Sequence, residues 1–448
     1  MADSWLRTGA VGGGVASGPM SAPLAPSYRE SVLWHDAAPL ATDDGDGAPP
    51  AEVDVVVVGA GYCGLAAAAE LARRGRSVAV LDRGPLGIGA STRNGGMVLP
   101  ELKAGPRGLE EAYGDLGRRM FSAVDEAFGF VEQLTTGPDG IACDYTRSGR
   151  LELASGAASA AALERAADEL NAVGHTARYV VGDDLAAEIG STAYPAGLVV
   201  ERSGGLHPAR LHAGLVARAR AAGATLHPHR RVTAVRPDGV DTATGSIRAG
   251  DVLLAVNGHA DGAAPDLRSR ILPMGSYIVA TEPLTPEQQA AVLPTGRMAY
   301  DTRNLLSYWR LDADGRMVFG GRRSLRSTTV PQARDMLRER MVHVHPQLAD
   351  ARIERAWGGD VAITRDRLPH CGRIDGAWYA AGCNGSGVAL NTWLGHRMAA
   401  AIDGEELPPF AELAHPRVPP VRRAWLPVVS TALRAQDRLD QARRVSPG

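Results

Sequence analysis

Three glycines and one acid have the types and spacing of a site for the phosphates of a dinucleotide. Gly59, Gly61 and Gly64 stand at GxGxxG spacing, and Asp82 follows at the end of the next apolar run. The first glycine permits a tight turn, the second lets the backbone approach a pyrophosphate, and the third lets a helix pack closely on a strand. The Asp82 carboxylate suits a ribose hydroxyl. The pattern predicts a bound nucleotide cofactor.

The elements around these residues are those that a dinucleotide-binding βαβ unit requires. Residues 55–58 are all valine, which is typical of a strand buried on both faces of a parallel sheet. An alanine-rich helix is predicted over residues 65–73 and a second strand over residues 78–81, so the helix N-terminus would face the phosphates. A chain with 53 glycines can contain GxGxxG by chance, but all these elements in the right order are much harder to obtain accidentally.

A second glycine-rich turn, GIGASTRNGG, occupies residues 87–96. Ser91 can cap a helix or donate to a pyrophosphate, and Arg93 can neutralise its charge. The pair Gly95 and Gly96 would let the chain pass against a flat ring. The alternative is an ordinary glycine-rich loop.

A third glycine-rich loop, GCNGSG, occupies residues 382–387 and precedes a helix predicted over residues 388–402. Its backbone amides would stabilise negative charge on a reduced cofactor ring, although by itself the loop could be only a helix N-cap. Loops far apart in sequence, each opening a helix after a strand, favour an extended cofactor lying across the sheet. FAD fits this arrangement better than NAD.

The candidate cofactor residues come from these three loops and from positions beside other predicted strands. They are Gly59, Gly61, Tyr62, Cys63, Gly64, Asp82, Arg83, Gly89, Ala90, Ser91, Arg93, Asn94, Gly95, Gly96, Val232, Asn257, Gly258, Gly382, Asn384, Gly385, Ser386, Gly387 and Val388.

Length and composition bound the class of protein. With 448 residues the chain exceeds one typical core, which predicts two joined domains. A formal net charge of -2 gives no global signature of a nucleic-acid or anionic-membrane partner. The four cysteines are scattered, so neither a disulfide framework nor a metal site is indicated. The scattered cysteines favour a reducing, cytoplasmic compartment. No apolar run approaches the length of a membrane span, so we expect a soluble protein.

The predicted fold class is α/β: a doubly wound, Rossmann-type FAD-binding domain with a second, β-rich substrate domain of mixed sheet and helices. A composition rich in Gly, Ala, Pro and Ser predicts a flexible N-terminal arm, within which residues 27–36 have enough aromatic and apolar content to dock as an ordered strap. The predicted divisions are the arm at 1–50, the FAD-binding domain at 51–105, 200–262 and 350–405, the substrate domain at 106–199 and 263–349, and a C-terminal helical tail at 406–448.

Several segments together resemble the FAD-dependent D-amino-acid-oxidase-like superfamily and, within it, gamma-glutamylputrescine oxidase and its relatives. The matching segments include DVVVVGAGYCGLAAAAEL, GASTRNGG, ILPMGSYIVATEPL and DTRNLLSYWRL. The resemblance implies hydride transfer from a carbon beside nitrogen to flavin N5, an imine that water hydrolyses, and reoxidation by O2 with release of H2O2. Some relatives attach FAD through a histidine near the second turn. Residues 90–95 contain none, so noncovalent FAD is predicted, with Cys383 as a packed thiol.

Candidate catalytic residues are Lys103, Tyr277, Trp309 and Arg322. Lys103 is the only lysine among 48 basic residues and follows the second turn closely, so it could stabilise developing superoxide or hold a substrate, or it could have survived the arginine bias by chance. Tyr277 and Trp309, like Tyr308, could form aromatic walls of an amine pocket or pack in a core. Arg322, with its neighbour Arg323, could bind a substrate carboxylate or mark a solvated strand end.

These features predict an FAD-dependent oxidase that converts a small amine or amino acid to an imine. The substrate would be a gamma-glutamylputrescine-like or related amine, with O2 as the second partner. Two alternatives remain open at this level: a flavin dehydrogenase or secondary-metabolite tailoring enzyme that uses another electron acceptor, and a flavin-binding protein without turnover.

Overall fold

The computed structural model describes residues 23–40, 45–322, 328–374 and 376–419, together with residues 431, 435 and 437. The strands in these ranges are β1 Leu24–Arg29, β2 Glu52–Val58, β3 Val78–Leu81, β4 Met97–Val98, β5 Arg150–Leu153, β6 Ala177–Val181, β7 Ala196–Val200, β8 Gly204–Gly205, β9 Thr225–His227, β10 Val232–Arg236, β11 Gly239–Thr242, β12 Gly245–Leu254, β13 Leu272–Pro283, β14 Met298–Asp301, β15 Ser307–Leu311, β16 Arg316–Gly321, β17 Ile353–Ile363, β18 His370–Ile374 and β19 Ala377–Ala381.

The α-helices of the same ranges alternate with these strands. They are α1 Trp34–Ala37, α2 Tyr62–Arg73, α3 Gly105–Tyr113, α4 Asp115–Thr136, α5 Ala157–Ala172, α6 Gly182–Ile189, α7 Pro208–Ala221, α8 Pro265–Arg268, α9 Pro286–Val292, α10 Val330–Val344 and α11 Gly387–Ile402. No helix in the described ranges combines the length and the apolar character needed to cross a lipid bilayer.

The first sheet carries the predicted βαβ unit. Its strands run in the order β10-β11-β12-β2-β3-β9, with β19 also paired to β12 and β18 paired to β19. β2 pairs in parallel with β12 and with β3. Val55 and Val57 pack in one apolar cluster with α2, α4, α7 and α11, while Val56 and Val58 pack in another on the opposite face. Both faces are therefore covered, which is why the strand is an unbroken apolar run.

The second sheet has nine strands in the order β1-β17-β13-β16-β15-β14-β5-β7-β6. Its long central strands β13 and β17 pair antiparallel over most of their length. One face packs on α10 through a separate apolar cluster that includes Trp309, Phe319, Leu337 and Met341. The molecule therefore has an α/β fold with a mixed, β-rich second sheet, as the sequence predicts.

Two elements pack across the predicted domain divisions. The prediction places residues 106–199 in the substrate domain, and α4 buries Met120, Val124 and Phe128 in the same cluster as α2 and α11. It places residues 350–405 in the nucleotide domain, and β17 is a central strand of the second sheet. In both cases the side-chain pattern gives the element but not the partner on which it packs.

Residues 23–40 of the predicted N-terminal arm pack on the rest of the protein. β1 pairs in parallel with β17, and the Trp34 side chain is buried against Trp357. This part confirms the prediction of a docked strap. Residues 1–22 and 41–44 lie outside the described residues, as does most of the predicted C-terminal helix beyond 419.

Candidate functional site

The first glycine loop has the close contacts that its glycines predict. A Cβ on Gly64 would lie 1.9 Å from the carbonyl oxygen of Gly59, and one on Gly59 would lie 2.9 Å from the carbonyl oxygen of Ala255. Gly59 also has a φ of +104°, in the region that favours glycine. These glycines therefore allow α2 to begin directly against the ends of β2 and β12.

A cleft of about 510 Å³ opens at this loop. It is lined by most of the predicted cofactor residues, namely Gly59, Gly61, Tyr62, Cys63, Asp82, Arg83, Gly89, Ala90, Ser91, Asn94, Val232, Asn257, Gly385, Gly387 and Val388. Arg93, Gly95, Asn384 and Ser386 line an adjoining cavity instead. Gly64, Gly96, Gly258 and Gly382 line neither space.

The start of α2 is suited to phosphate. The N-cap residue of this helix, Gly61, has no side chain to cap it, and the first turn contains no acid. Gly61 and Tyr62 line the cleft, so the positive end of the helix faces it. The backbone amide of Tyr62 donates to Ser91 Oγ at 3.0 Å, which joins the first and second glycine turns. Asp82 accepts hydrogen bonds from the amides of Ala60 and Gly84 at 2.9 and 3.0 Å while lining the cleft. An uncapped helix and a fixed carboxylate fit a dinucleotide cofactor.

The second glycine turn is held by the N-terminal strap and by β17. Trp34 Nε1 donates to the carbonyl of Asn94 at 2.9 Å, and Trp357 Nε1 donates to the carbonyl of Arg93 at the same distance. Arg93 in turn donates to the carbonyl of Gly358 at 3.0 Å. Burial lowers the pKa of the Arg93 guanidinium. Two indoles from distant parts of the chain therefore fix the backbone of this turn.

The third loop is organised by two asparagines. Asn257 Oδ1 accepts a hydrogen bond from the amide of Gly382 at 2.9 Å, and Asn384 Oδ1 accepts one from the amide of Thr364 at 3.0 Å. α11 then begins at Gly387 with no side-chain cap and no acid in its first turn. Its positive end lies where the cleft meets the adjoining cavity, because Val388 lines both. This is where negative charge on a reduced ring would be stabilised.

The adjoining cavity, of about 140 Å³, lies between the two sheets. Its walls combine aromatic, apolar and charged side chains: Met97, Leu99, Glu101, Lys103, Ser276, Tyr300, Leu306, Tyr308, Arg322, Asp360 and Val361. It shares Ala90, Asn94, Asp360, Val361, Gly385 and Val388 with the cleft. The cleft and the cavity are therefore joined at these residues.

Strand register determines which aromatic side chains reach this cavity. Tyr308 of β15 pairs with Tyr300 of β14, which pairs with Glu152 of β5, so the three lie in one row across the sheet. Trp309 is the next residue along β15 and faces the opposite side, because successive side chains of a strand alternate.

Trp309 is fully buried in the core, stacked on Phe319 at 5.2 Å between ring centroids. Of the two possibilities that the sequence leaves open for Trp309, the structure places it in the core.

The other candidate catalytic residues lie at or beside the cavity. Lys103 and Arg322 line it, whereas Tyr277 lines a neighbouring, more open space and donates from its hydroxyl to the carbonyl of Thr328 at 2.7 Å. Arg322 is buried, which lowers its pKa, and no carboxylate of the described residues forms an ion pair with it. Arg323 lies outside the described residues.

A cluster of buried charges behind Tyr300 was not foreseen. The Tyr300 hydroxyl lies 2.6 Å from Glu101 Oε2 and 3.0 Å from Glu152 Oε2, and Arg150 Nη2 lies 3.3 Å from Glu101 Oε2. Burial opposes ionisation of Glu101, but the charges of Arg150 and Lys103 hold its pKa below the usual value. Burial and the charge of Glu101 raise the pKa of Glu152. The short sequence ELK at 101–103 was the available signal, but its partners come from strands far along the chain.

The chain matches a known protein family over most of its length. The family model described as "FAD dependent oxidoreductase", DAO, matches residues 54–401. The chain is 31% identical over 388 residues to the probable oxidoreductase OrdL of Rhizobium meliloti, covering 82% of this chain and 87% of that protein. It is 30% identical over 383 residues to the gamma-glutamylputrescine oxidoreductase of Escherichia coli, covering 84% and 89%.

A solved structure shares the fold. The chain resembles glycine oxidase from Geobacillus kaustophilus with a TM-score of 0.68 at 21% identity, covering 82% of this chain and all of the other.

Proposed function

The chain belongs to the DAO family of FAD-dependent oxidoreductases, and from that premise we propose that it oxidises a C–N bond of a small amine or amino acid and uses O2 as electron acceptor. One observation carries the proposal: an uncapped helix end and three glycine loops form a cleft that opens into a small cavity with charged and aromatic walls. When bound, FAD would accept a hydride from the carbon beside nitrogen and pass its electrons to O2, giving H2O2.

The residues that would hold FAD act through backbone and small side chains. The amides at the start of α2 and the turn fixed by Ser91 would face the pyrophosphate, and Asp82 would face a ribose. The start of α11 would face the ring end. We propose that the cofactor is held noncovalently. Acid denaturation should release yellow FAD into the supernatant, and colour retained in the protein pellet would contradict this.

The cavity residues would bind and orient the substrate. Arg322 is buried without a carboxylate partner among the described residues, so it is suited to a carboxylate on the substrate. Tyr308 and Leu306 would exclude water from the reacting carbon, because both line the cavity on its sheet side. The likeness to the gamma-glutamylputrescine oxidoreductase supports an amine that carries a carboxylate at its far end.

The test is an anaerobic visible spectrum of the FAD-loaded protein with a panel of polyamines, gamma-glutamylated amines, N-methyl amino acids and D-amino acids. One class should bleach the flavin absorbance, and peroxide should form when air is readmitted. Bleaching without reoxidation by air would contradict the choice of O2 and favour another electron acceptor. Bound FAD that no amine bleaches would contradict the proposed reaction.

A further inference from the structure

The Tyr300 hydroxyl has more acceptors around it than hydrogens to give. It has one hydrogen, yet it lies 2.6 Å from Glu101 Oε2 and 3.0 Å from Glu152 Oε2. If both carboxyls were ionised, one of these contacts would bring two oxygens together without a hydrogen between them. A proton on one of the two carboxyls, donated to the Tyr300 oxygen, gives each of the two contacts its own hydrogen.

The surroundings identify which carboxyl is protonated. Glu101 has Arg150 Nη2 at 3.3 Å and Ser386 Oγ at 3.4 Å, both of which favour its ionised form. Glu152 has no cation within ion-pair distance among the described residues, and Leu198 lies opposite it on β7. The raised pKa of Glu152 and the lowered pKa of Glu101 agree with this geometry. Glu101 is therefore the anion and Glu152 the acid.

The charge balance of this cluster is one cation against one anion. Arg150 is buried, with a side chain 5% exposed, and its Nε has no hydrogen-bond partner. Glu101 lines the cavity, whereas Glu152 is not among the lining residues. Lys103 is exposed at the cavity, with its Nζ 5.9 Å from the centre of the Tyr300 ring. A second cation entering beside Glu101 would leave the buried cluster with an excess positive charge unless a proton left.

We propose that Glu101 binds the ammonium group of the substrate and that this ammonium enters in exchange for the proton of Glu152; the proposal rests on the proposed function. Hydrogen bonds form from the ammonium to Glu101, the O–H bond of Glu152 breaks, and its proton goes to solvent. No electrons move in this step. Two carboxylates then balance Arg150 and the ammonium. The Tyr300 hydroxyl donates its one hydrogen to one of them, and its contact with the other must lengthen.

The exchange makes binding depend on pH in one direction. Below the pKa of Glu152 a proton must be removed for each ammonium bound, so the affinity for a cationic amine should rise about tenfold for each unit of pH. Above that pKa the affinity should become independent of pH while the amine stays protonated. Among the described residues, exposed Lys103 is a further cation that faces the cluster, and its charge favours ionisation of Glu152.

The experiment uses the FAD-loaded enzyme and tert-butylammonium, which cannot be oxidised because its carbon beside nitrogen has no hydrogen. Calorimetric titration in buffers of different ionisation enthalpy measures the protons released on binding. We expect about one proton released at pH values below the pKa of Glu152. Glu152→Gln should bind without releasing a proton, Glu101→Gln should bind at least tenfold more weakly, and the exposed Glu126→Gln should behave as the parent.

Infrared difference spectra of the unsubstituted enzyme give a readout that does not depend on variants that fail to fold. A carboxylic-acid C=O band should disappear when tert-butylammonium binds. Binding with no proton release and no loss of this band would overturn the proposal, even if an oxidisable amine still bleaches the flavin. If no amine bleaches the flavin, the proposed function fails instead, so the two failures are distinguishable.

Discussion

Substitution of Gly64 by alanine tests whether close packing of α2 on β2 creates the phosphate site. The new Cβ would lie 1.9 Å from the carbonyl oxygen of Gly59, while real Cβ contacts essentially never fall below 3.0 Å. The start of α2 and the Gly59 carbonyl must therefore separate by about 1.1 Å, the difference between 3.0 and 1.9 Å, because the carbonyl belongs to the backbone and cannot rotate away. Overpacking of this kind costs about 1–3 kcal/mol, more than the gain of roughly 1 kcal/mol in helix propensity.

The same shift should weaken FAD binding. A displacement of about 1 Å lengthens the hydrogen bonds from the α2 amides to phosphate and removes about 2 kcal/mol, or roughly 30-fold in affinity. Fluorescence titration of the apoprotein with FAD measures this, and urea unfolding of the apoprotein measures stability. Gly108→Ala is the matched control, since its Cβ would meet only the Ala104 side chain at an ordinary 3.5 Å in helix α3.

Gly108→Ala should leave FAD affinity unchanged and raise stability by about 0.5–1 kcal/mol. FAD affinity equal to that of the parent in Gly64→Ala would show that this glycine does not position the start of α2.

Four further substitutions have defined outcomes. Arg322→Met should raise KM in steady-state assays by about 10–100-fold for amines that carry a carboxylate, because a charged hydrogen bond is lost. KM for simple alkylamines should change little, and equal effects on both classes of amine would contradict the role of Arg322. Gly320→Ala places a Cβ 2.2 Å from the Tyr308 ring and should lower kcat/KM about tenfold or more; unchanged kinetics would show that this ring does not shape the cavity. Lys103→Met should slow flavin reoxidation by air in stopped flow, and an unchanged rate would remove its role with oxygen. Burial opposes ionisation of Glu70, but Arg73 and Arg74 hold its pKa at about 2. The ionised Glu70 carboxylate therefore stabilises the folded protein above about pH 4.5, and this contribution is lost as the pH falls towards 2. In acid unfolding, Glu70→Gln should lose less stability than the parent over that range.

Local features of the sequence determine much of the first sheet. Residues 78–81 form a strand at the predicted bounds, and α2 extends the predicted helix by three residues at its N-terminus. About thirty consecutive residues contain the whole pattern: the glycine spacing, the apolar valines and the acid at the end of β3. Most of the predicted cofactor residues therefore line one cleft.

The second cavity depends on pairings that no local pattern reveals. Tyr300 and Glu152 are partners only because β14 pairs with β5, 148 residues earlier in the chain. The alternation of β15 was recognisable, but which of Tyr308 and Trp309 faces the core depends on the location of α10. Likewise, α4 has an apolar face in its sequence, but that face does not specify the nucleotide domain as its partner.

The proposed reaction is hydride transfer from a carbon beside an amine nitrogen to bound FAD. The most direct test is the anaerobic rate of flavin bleaching with the best amine of the panel, compared with the same amine carrying deuterium on that carbon. We expect bleaching that is several-fold slower with deuterium. No bleaching, or bleaching at the same rate when reduction itself is the observed step, would contradict it.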